Sequence, residues 1–598
     1  MADLILECVR EERRDGPGLD ADADARLSRV AARISPDNIE PRPAQTIEAP
    51  DLRAVIVNPS PEGVCVAEGG VMLGVIIGPA GRWWQVGSEP PDGTYALVRY
   101  SPQTVELVTD VTASRTLWYA LDDKRLIVST SQRAVVALLG GLNLDREAVT
   151  WFLLTGTLGP DAVWDERVKR LPSDSRLTLD RRTWRVELVQ HPALFAPQPG
   201  SVREHLDRLR DAVGWSCANL GIDTDRWLLP LSGGRDSRAI LEGLYRSGRT
   251  PRCITWTTRE SPGKPLSDAY VARVVARRFH AAHRYFYFDR PAEGLGPAFQ
   301  RFIELGEGST DAFAAYVDGC AMWRDLYTEG ACGVIRGDEP LVVRVRMATH
   351  DGARRHAHGT FVTDYPEGHL VRRLGLAEQH WPQRLQPRDD EEPTVYRDRL
   401  SHQVYIPYAL APLTEIKCRY VEVVNPLLSR RVVAVARTLP EGLRRYGRAL
   451  PAIVDWKTRS IPLARYASVP DDSMFLEDEG ILGTIVATLT SPAIENVIDE
   501  GAAMTLLTAL ASPQHTPTGI RHQVVAALKP ARVLLPFGVK FRLKAPYQGP
   551  DSLSALRLAF RATIAAKALA LLDDDARGSS ARPRSSEQVT QGDRSPAR

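Results

Sequence analysis

Between Ala54 and about Leu188 apolar and polar positions fall in short runs rich in β-branched and aromatic residues. Examples are Val71 to Ile77, Tyr95 to Tyr100, Val105 to Val108 and Arg125 to Ser129. Turn residues separate these runs, which predicts a β-rich layer. Two stretches switch to helical spacing, Gln132 to Leu139 and Arg146 to Leu154, the second entered through Asp145 as an N-cap. After residue 200 the period changes for good. Ser201-Val-Arg-Glu204 is a capping-box pattern ahead of Leu206, Leu209, Val213 and Cys217 at helical spacing. An apolar run over 227 to 231 follows, then a small-residue turn, then Ile240, Leu241 and Leu244 at helical spacing until Gly248. Arg252 to Thr258 reads as a second strand, and Ala269, Ala272, Val275, Ala276 and Phe279 as one face of another helix. Strand, helix, strand, helix predicts a parallel doubly wound sheet, whose ligands gather at the carboxyl ends of its strands.

The flanks carry weaker patterns. Residues 1–50 are charge-rich and end in a Pro-containing stretch from Ile34 to Pro50, so an N-terminal arm is expected there. Residues 344 to about 395 are rich in Arg, His, Asp, Glu and Pro with little periodicity, which reads as a solvated surface loop or a lid near a site. Residues 471–572 form a helical C-terminal extension, in which 555 to 572 reads as a solvated amphipathic helix packed on the protein. Residues 573–598 have too few apolar side chains to bury and read as a disordered tail.

Composition narrows the classes. A chain of 598 residues has room for several cores, about three or four domains by length alone. Lys plus Arg total 76 against 74 Asp plus Glu, a formal charge of +2 that does not suggest a polyanion-binding surface, and no nucleic-acid partner is expected. No apolar run reaches the roughly 18 residues of a membrane span, and the first residues lack a secretory pattern, so no membrane partner is expected either. The seven cysteines, at 8, 65, 217, 253, 320, 332 and 418, form no CxxC pair; an odd, scattered set suits a reducing cytoplasm.

The candidate chemistry sits in the turn after residue 231. Gly233 and Gly234 allow a tight bend with bare backbone, and the N–H groups opening the next helix can hold phosphate oxygens because they lack intrahelical partners. Asp236 could hold the Mg²⁺ that such a cradle needs. The wording differs from the common phosphate loop ending Gly-Lys-Ser/Thr. Ser-Gly-Gly-Arg-Asp-Ser, residues 232 to 237, resembles the SGGxDS pyrophosphate loop of the PP-loop ATP pyrophosphatases. That resemblance implies cleavage of ATP between the α and β phosphates, with Ser232, Gly233, Gly234, Arg235, Asp236 and Ser237 as nucleotide contacts. The plain alternative is a strand–turn–helix junction with a serine-rich cap.

The first half resembles the glutaminase-like domain of the asparagine synthetase family. The likeness lies in Pro91-Asp-Gly-Thr-Tyr-Ala-Leu-Val-Arg-Tyr100, Leu117-Trp-Tyr-Ala-Leu121, Leu126-Ile-Val-Ser-Thr-Ser-Gln-Arg-Ala134 and Val168-Lys-Arg-Leu-Pro172, similar in order to that family's "GxFA", "PLYY", "FASExKA" and "LPPG" segments. Family members that hydrolyse glutamine use a cysteine at the mature amino terminus; here position 2 is Ala2, Cys8 is too far along, and the family's Arg-Gly-Pro-Asp segment has no match. The resemblance therefore implies a degenerate, structural domain, nearer in kind to the β-lactam synthetases and lasso-peptide macrolactam synthetases.

In the second half Thr255, Trp256 and Thr257 end the second strand, where the resemblance places the adenosine, with Thr257 as a contact. Ser267-Asp-Ala269 and His283 are similar to a further family segment, although Asp268 also suits a helix start. Gly337-Asp-Glu339 resembles a compressed second acidic loop, with Gly337 at the nucleotide and Asp338 matched either to the metal-binding Asp or to the acidic residue before it. Arg419 to Val433 resembles the "xxxEARxPFLDxxLV" block, which places Glu422 at the amine; its alternative is a buried ion pair with Arg419 or Arg430. The "GGxxK" lysine position holds Leu450, and Lys457 is the candidate substitute, with Arg465, Lys540 and Lys544 as further cations.

The expected fold is α/β: a β-rich Ntn-hydrolase-like domain over 51–198, then a doubly wound parallel-sheet PP-loop synthetase domain over 199–470. The expected function is ATP-dependent, AMP-forming amide-bond synthesis through an acyl adenylate, asparagine-like or lactam-forming, without glutamine hydrolysis. ATP and Mg²⁺ (on Asp236 and Asp338) are the expected cofactors, and Glu422 and Lys457 the expected catalytic residues. A small-molecule or peptide carboxylate and an amine are the expected partners, with a biosynthetic partner protein or a homodimer as further options. The alternative is a catalytically degenerate ATP-binding or scaffold relative.

Overall fold

A computed structural model describes residues 3–10, 20–287, 291, 293–338, 340–341, 346–444, 448–454, 457–458, 460–466, 473–476, 478–511 and 553–580. The fold is mixed α/β with three sheets. In the first half the strands are β1 (Asp3–Val9), β2 (Gln45–Ala49), β3 (Leu52–Val57), β4 (Val64–Ala67), β5 (Gly70–Ile76), β6 (Gly93–Tyr100), β7 (Thr104–Thr109), β8 (Trp118–Leu121), β9 (Arg125–Ser129), β10 (Lys169–Arg170), β11 (Ser175–Asp180) and β12 (Arg185–Gln190). They pair into two six-stranded sheets, ordered β10-β8-β9-β1-β3-β2 and β12-β11-β7-β6-β5-β4. Every pairing in them is antiparallel.

Strand alternation decides what each face does. Leu4, Leu6, Ala54 and Ile56 of the first sheet meet Leu73, Val98, Leu107 and Leu177 of the second in one buried cluster. The opposite face of the first sheet, with Ile5, Val55, Val57 and Ile127, belongs to a larger core shared with helices α1 (Asp20–Ile34), α2 (Gln132–Leu139) and α3 (Arg146–Thr155). The opposite face of the second sheet, with Met72, Tyr95, Leu97 and Val108, is closed by Trp83 from the β5–β6 connection.

Four sequence expectations fail here. The described part of residues 1–50 is not an arm: β1 lies inside the first sheet, paired with both β3 and β9. Its apolar run is buried on both faces, so it lacks the alternation that marks a half-exposed strand. Glu7, 1% exposed, is held there by Arg26 and Arg125. Residues 573–580 are not a tail, because the last helix runs from Ala555 to Ser580; residues 581–598 lie outside the described set. Upstream, that helix is no solvated amphipath but an Ala-rich rod inside the core, with Leu558, Phe560 and Ile564 fully buried. Residues 346–395 are not a solvated loop either. Phe361 and Trp381 pack on Trp151 of α3, with centroids 5.6 and 6.0 Å away, and the charges are consumed locally, Arg354 by Asp364 at 2.8 Å and Arg399 by Glu391 at 2.7 Å.

The second half builds the doubly wound sheet. Its strands β13 (Trp227–Pro230), β14 (Arg252–Thr257), β15 (His283–Tyr287), β16 (Gly333–Ile335) and β17 (Glu422–Val424) are all parallel, in the order β15-β14-β13-β16-β17. Helices α4 (Val202–Ala218), α5 (Asp236–Arg246) and α6 (Asp268–Arg278) cover one face with Leu229, Cys253 and Val424. Leu228, Ile254, Val334 and Val423 turn to the other face and join the core that contains the carboxy-terminal helix. Strand order reverses between β13 and β16, so the crevice for a ligand opens at their carboxyl ends.

Among the described residues no helix is long and apolar enough to cross a membrane. All seven cysteines are free thiols.

One buried histidine makes the fold acid-sensitive. His402 is 1% exposed; its Nε2–H donates to the Pro340 carbonyl at 2.8 Å and its Nδ1 accepts from Arg437 Nε at 3.4 Å. Burial, and then Arg437, push its pKa down to about 3 from the ordinary 6.5. The unfolded chain therefore binds the extra proton first, and stability falls as pH drops from 6.5 towards 3. Chemical-denaturation midpoints measured down that range should fall more steeply for the native chain than for His402→Gln.

Candidate nucleotide site

The Ser232–Ser237 loop joins the carboxyl end of β13 to the start of α5, at the point where strand order reverses. Its backbone is held by its own side chains. Ser237 Oγ accepts from the Ser232 N–H at 3.0 Å, and Ser232 Oγ accepts from the Gly234 N–H at 3.1 Å. The Gly233 N–H donates to Asp268 Oδ1 at 2.8 Å. Burial raises the pKa of that carboxyl. Asp268 thus both opens α6 and takes an N–H of the kind a phosphate oxygen would accept. Of the two alternatives left open by the sequence, the helix start is the one seen directly.

The loop is covered on one side. The Ala464 N–H donates to the Gly233 carbonyl at 3.0 Å, and Arg238 fixes the same segment by donating to the carbonyls of Ile461 at 2.9 Å and Pro462 at 3.3 Å. A Cβ at Gly233 would lie 2.6 Å from Ala464 Cβ, so only glycine fits. Arg235 precedes α5 with no side-chain cap, unlike Ser201 before α4 and Ser267 before α6, so the N-terminal dipole of α5 faces the loop.

Other predicted contacts gather at the same edge. Gly337, just past β16, lies against the start of α5, where an added Cβ would come within 3.0 Å of the Ser237 nitrogen. Thr257 ends β14 and is fully buried. Beside it Thr255 Oγ1 donates to the Leu231 carbonyl at 2.6 Å and accepts from His283 Nε2 at 2.9 Å. Burial lowers the His283 pKa to about 4, so the ring is neutral. Asp338 stands at the edge too, yet its Oδ1 accepts from Arg336 at 2.8 Å and its Oδ2 from Asn425 at 3.3 Å. Glu339 lies outside the described residues.

The two residues expected to be catalytic are elsewhere. Glu422 pairs in register with Gly333, at the amino end of its strand, whereas the loop is at the carboxyl edge. It is fully buried, and Arg115 Nη1 donates to both of its oxygens at 3.0 Å. Glu422 is thus in a buried ion pair, with an arginine of the first half rather than with Arg419 or Arg430. Arg419 instead reaches Asp3 and Glu307, and Arg430 reaches Asp174. Lys457 donates to the Tyr245 hydroxyl at 2.7 Å, and its ammonium lies 4.0 Å from that ring's centroid. Tyr245 is in the last turn of α5, about 14 Å along the helix from Asp236 at 1.5 Å per residue. Leu450 is buried in the core, and Lys540 and Lys544 lie outside the described residues.

The sequence reading also passed over Lys417. This residue, 4% exposed, lines a cavity with Arg336 beside the same carboxyl edge. No local signal marks it, since it sits in an ordinary helical run, Ala411–Cys418.

No protein-family model matches the chain, and no curated protein matches it. Among solved structures it is similar to the allosteric regulatory enzyme of purine biosynthesis, at 9% identity and a TM-score of 0.20 over 48% of this chain and 81% of that one. It is also similar to glutamine phosphoribosylpyrophosphate amidotransferase from B. subtilis, at 7% identity and a TM-score of 0.18 over 49% of this chain and 82% of that one. At overlaps this slight neither likeness carries an argument about fold or chemistry.

Proposed function

We propose that this chain is an ATP-dependent ligase of the asparagine synthetase type, forming an amide bond through an acyl adenylate. The observation that carries the reading is the place of Ser232–Ser237: the SGGxDS wording falls between the central strand of a 3-2-1-4-5 parallel sheet and an uncapped helix, at the point where strand order reverses. In the proposed reaction a substrate carboxylate oxygen attacks the α-phosphorus, the bond to the bridging oxygen breaks, and pyrophosphate leaves with that electron pair. An amine then attacks the acyl carbon and releases AMP. The loop's part is to exchange its Asp268 and serine acceptors for phosphate oxygens on the Ser232, Gly233 and Gly234 N–H groups. Ser232 and Ser237 hydroxyls, 2.9 Å apart, supply further donors.

Asp338 as placed does not fit a Mg²⁺ ligand, because both of its oxygens accept hydrogen bonds from protein donors. Among the described residues no group of three His, Cys, Asp or Glu side chains could hold a metal ion. Asp236, within the loop itself, remains the candidate Mg²⁺ ligand, with Asp268 beside it on the Gly233 N–H.

A second reading, an ATP-binding or scaffold relative without turnover, has its own support in the removal of Glu422 and Lys457 from the loop. Purified protein with Mg²⁺, ATP and host small-molecule or peptide extracts separates the two. Extract-dependent AMP and pyrophosphate, lost in Asp236→Ala, is the result expected of the ligase. ATP binding without turnover supports the second reading. Absence of both binding and turnover overturns a nucleotide function altogether.

A further inference from the structure

The carboxyl ends of β14 and β15 form one wall of a cavity of about 140 Å³. Trp256, Phe286, Tyr316 and Trp323 line it, and its mouth lies at Tyr287 and Ala315, both exposed. Its volume is close to that of a cavity known to take up benzene, about 150 Å³. Aromatic walls favour an aromatic guest, through edge-to-face and offset contacts.

The cavity is not simply apolar. Lys417 Nζ lies 5.6 Å from the Tyr316 centroid and 5.7 Å from that of Trp323, and it donates to the Leu413 carbonyl one helical turn back. Among the described residues no carboxylate makes an ion pair with it. Burial, and then the neighbouring Arg336, push its pKa well below the ordinary lysine value, with Asp338 acting in the opposite sense, so a bound anion would favour its charged form. Arg336 has Asp338 on one side. The remaining acid at the cavity, Asp318, turns its oxygens to the N–H groups of Cys320 and Met322, each at 3.1 Å. The cavity therefore presents aromatic faces and N–H donors, while its carboxylates are already engaged.

We propose that this cavity binds a small aryl carboxylate, the ring among Trp256, Tyr316 and Trp323 and the carboxylate against Lys417 and Arg336. The inference rests on the cavity alone and holds whether or not the loop turns over ATP.

Phenylacetate is the probe, tested on the full-length protein by calorimetry and ligand-observed NMR. It should bind saturably at one site. Phenylacetamide, which keeps the ring, and acetate, which keeps the charge, should each bind about tenfold or more weaker, and benzylamine should not compete. Lys417→Met should weaken phenylacetate by about tenfold or more. Ala315→Trp, placed at the exposed mouth, should block binding with the thermal unfolding curve unchanged, and so tests the site even where the lysine variant fails to fold. Absence of saturable binding, equal binding of benzylamine, or binding that survives Ala315→Trp would overturn the proposal. So would adenosine that displaces phenylacetate and is itself blocked by Ala315→Trp, which would give the cavity to a nucleoside base.

Discussion

A chain ending at residue 552 is expected to accumulate as insoluble or protease-sensitive material, although it retains the whole candidate nucleotide loop. The helix Ala555–Ser580 is packed against α1, α2 and α3 and against the helices Leu295–Gly306 and Glu479–Leu489. Leu558, Phe560, Ile564, Leu569 and Leu572 are each no more than 2% exposed. At about 1.5–3 kcal/mol for each large apolar side chain, their burial is worth on the order of 10 kcal/mol. That equals the whole stability of an ordinary domain, about 5–15 kcal/mol. Phe560 also stacks on Phe299 with centroids 5.2 Å apart, and Arg561 Nε donates to Asp311 at 2.8 Å. Arg133, 6% exposed, would lose Asp575, the carboxylate that its Nε meets at 2.7 Å. Solubility, limited proteolysis and thermal melts of the two chains check the expectation. A truncated chain that melts like the full-length protein would show the helix to be a dispensable outer layer.

Arg115→Ala should lower stability by about 3–5 kcal/mol, because it leaves the Glu422 carboxylate buried without its counter-charge. Glu422→Ala should cost about as much for the converse reason. The site is closed: a Cβ at Gly63 would collide with Glu422 Oε2, and the Cys418 thiol stands 3.7 Å from Oε1. Replacing both charges, Arg115→Met with Glu422→Leu, should recover most of the loss, since a buried pair repays little more than its own desolvation. Unfolding free energies from urea titrations of the native chain, Arg115→Ala, Glu422→Ala and the Arg115→Ala/Glu422→Ala double variant close the cycle and give the coupling energy. If Glu422 instead served an amine, Glu422→Gln would keep the native midpoint and abolish AMP formation, and the cycle would show little coupling to Arg115.

These two predictions also rest on contacts that the sequence does not show. The parallel sheet was partly legible because its parts are local: apolar runs of strand length, the Ser201 cap, and a loop whose glycines allow a tight bend. Ser232–Ser237 could be placed at the sheet's carboxyl edge for the same reason, since alternation of strand and helix brings successive carboxyl ends together, whereas Gly337 was placed there only by the family resemblance. The β layers were legible from their runs, although β1 was not, because a strand buried on both faces has no alternation to show.

Partner choice was not legible. Glu422 and Arg115 lie 307 positions apart, and nothing local distinguishes Arg115 from Arg419 or Arg430, both of which are close in sequence and bound to other acids. Lys457 illustrates a matter of reach: it is a cation beside α5, at the end of that helix away from the Ser232–Ser237 loop. By itself the sequence determined the first two strands of the parallel sheet and the helices around them, and with them the edge where a ligand can gather, because those follow from periodicity and short-range hydrogen bonding. The tertiary structure alone decided which charges neutralise one another, which face of the last helix is buried, and that Lys417 and Arg336 share an aromatic cavity. Those outcomes depend on the desolvation of groups brought together from distant parts of the chain.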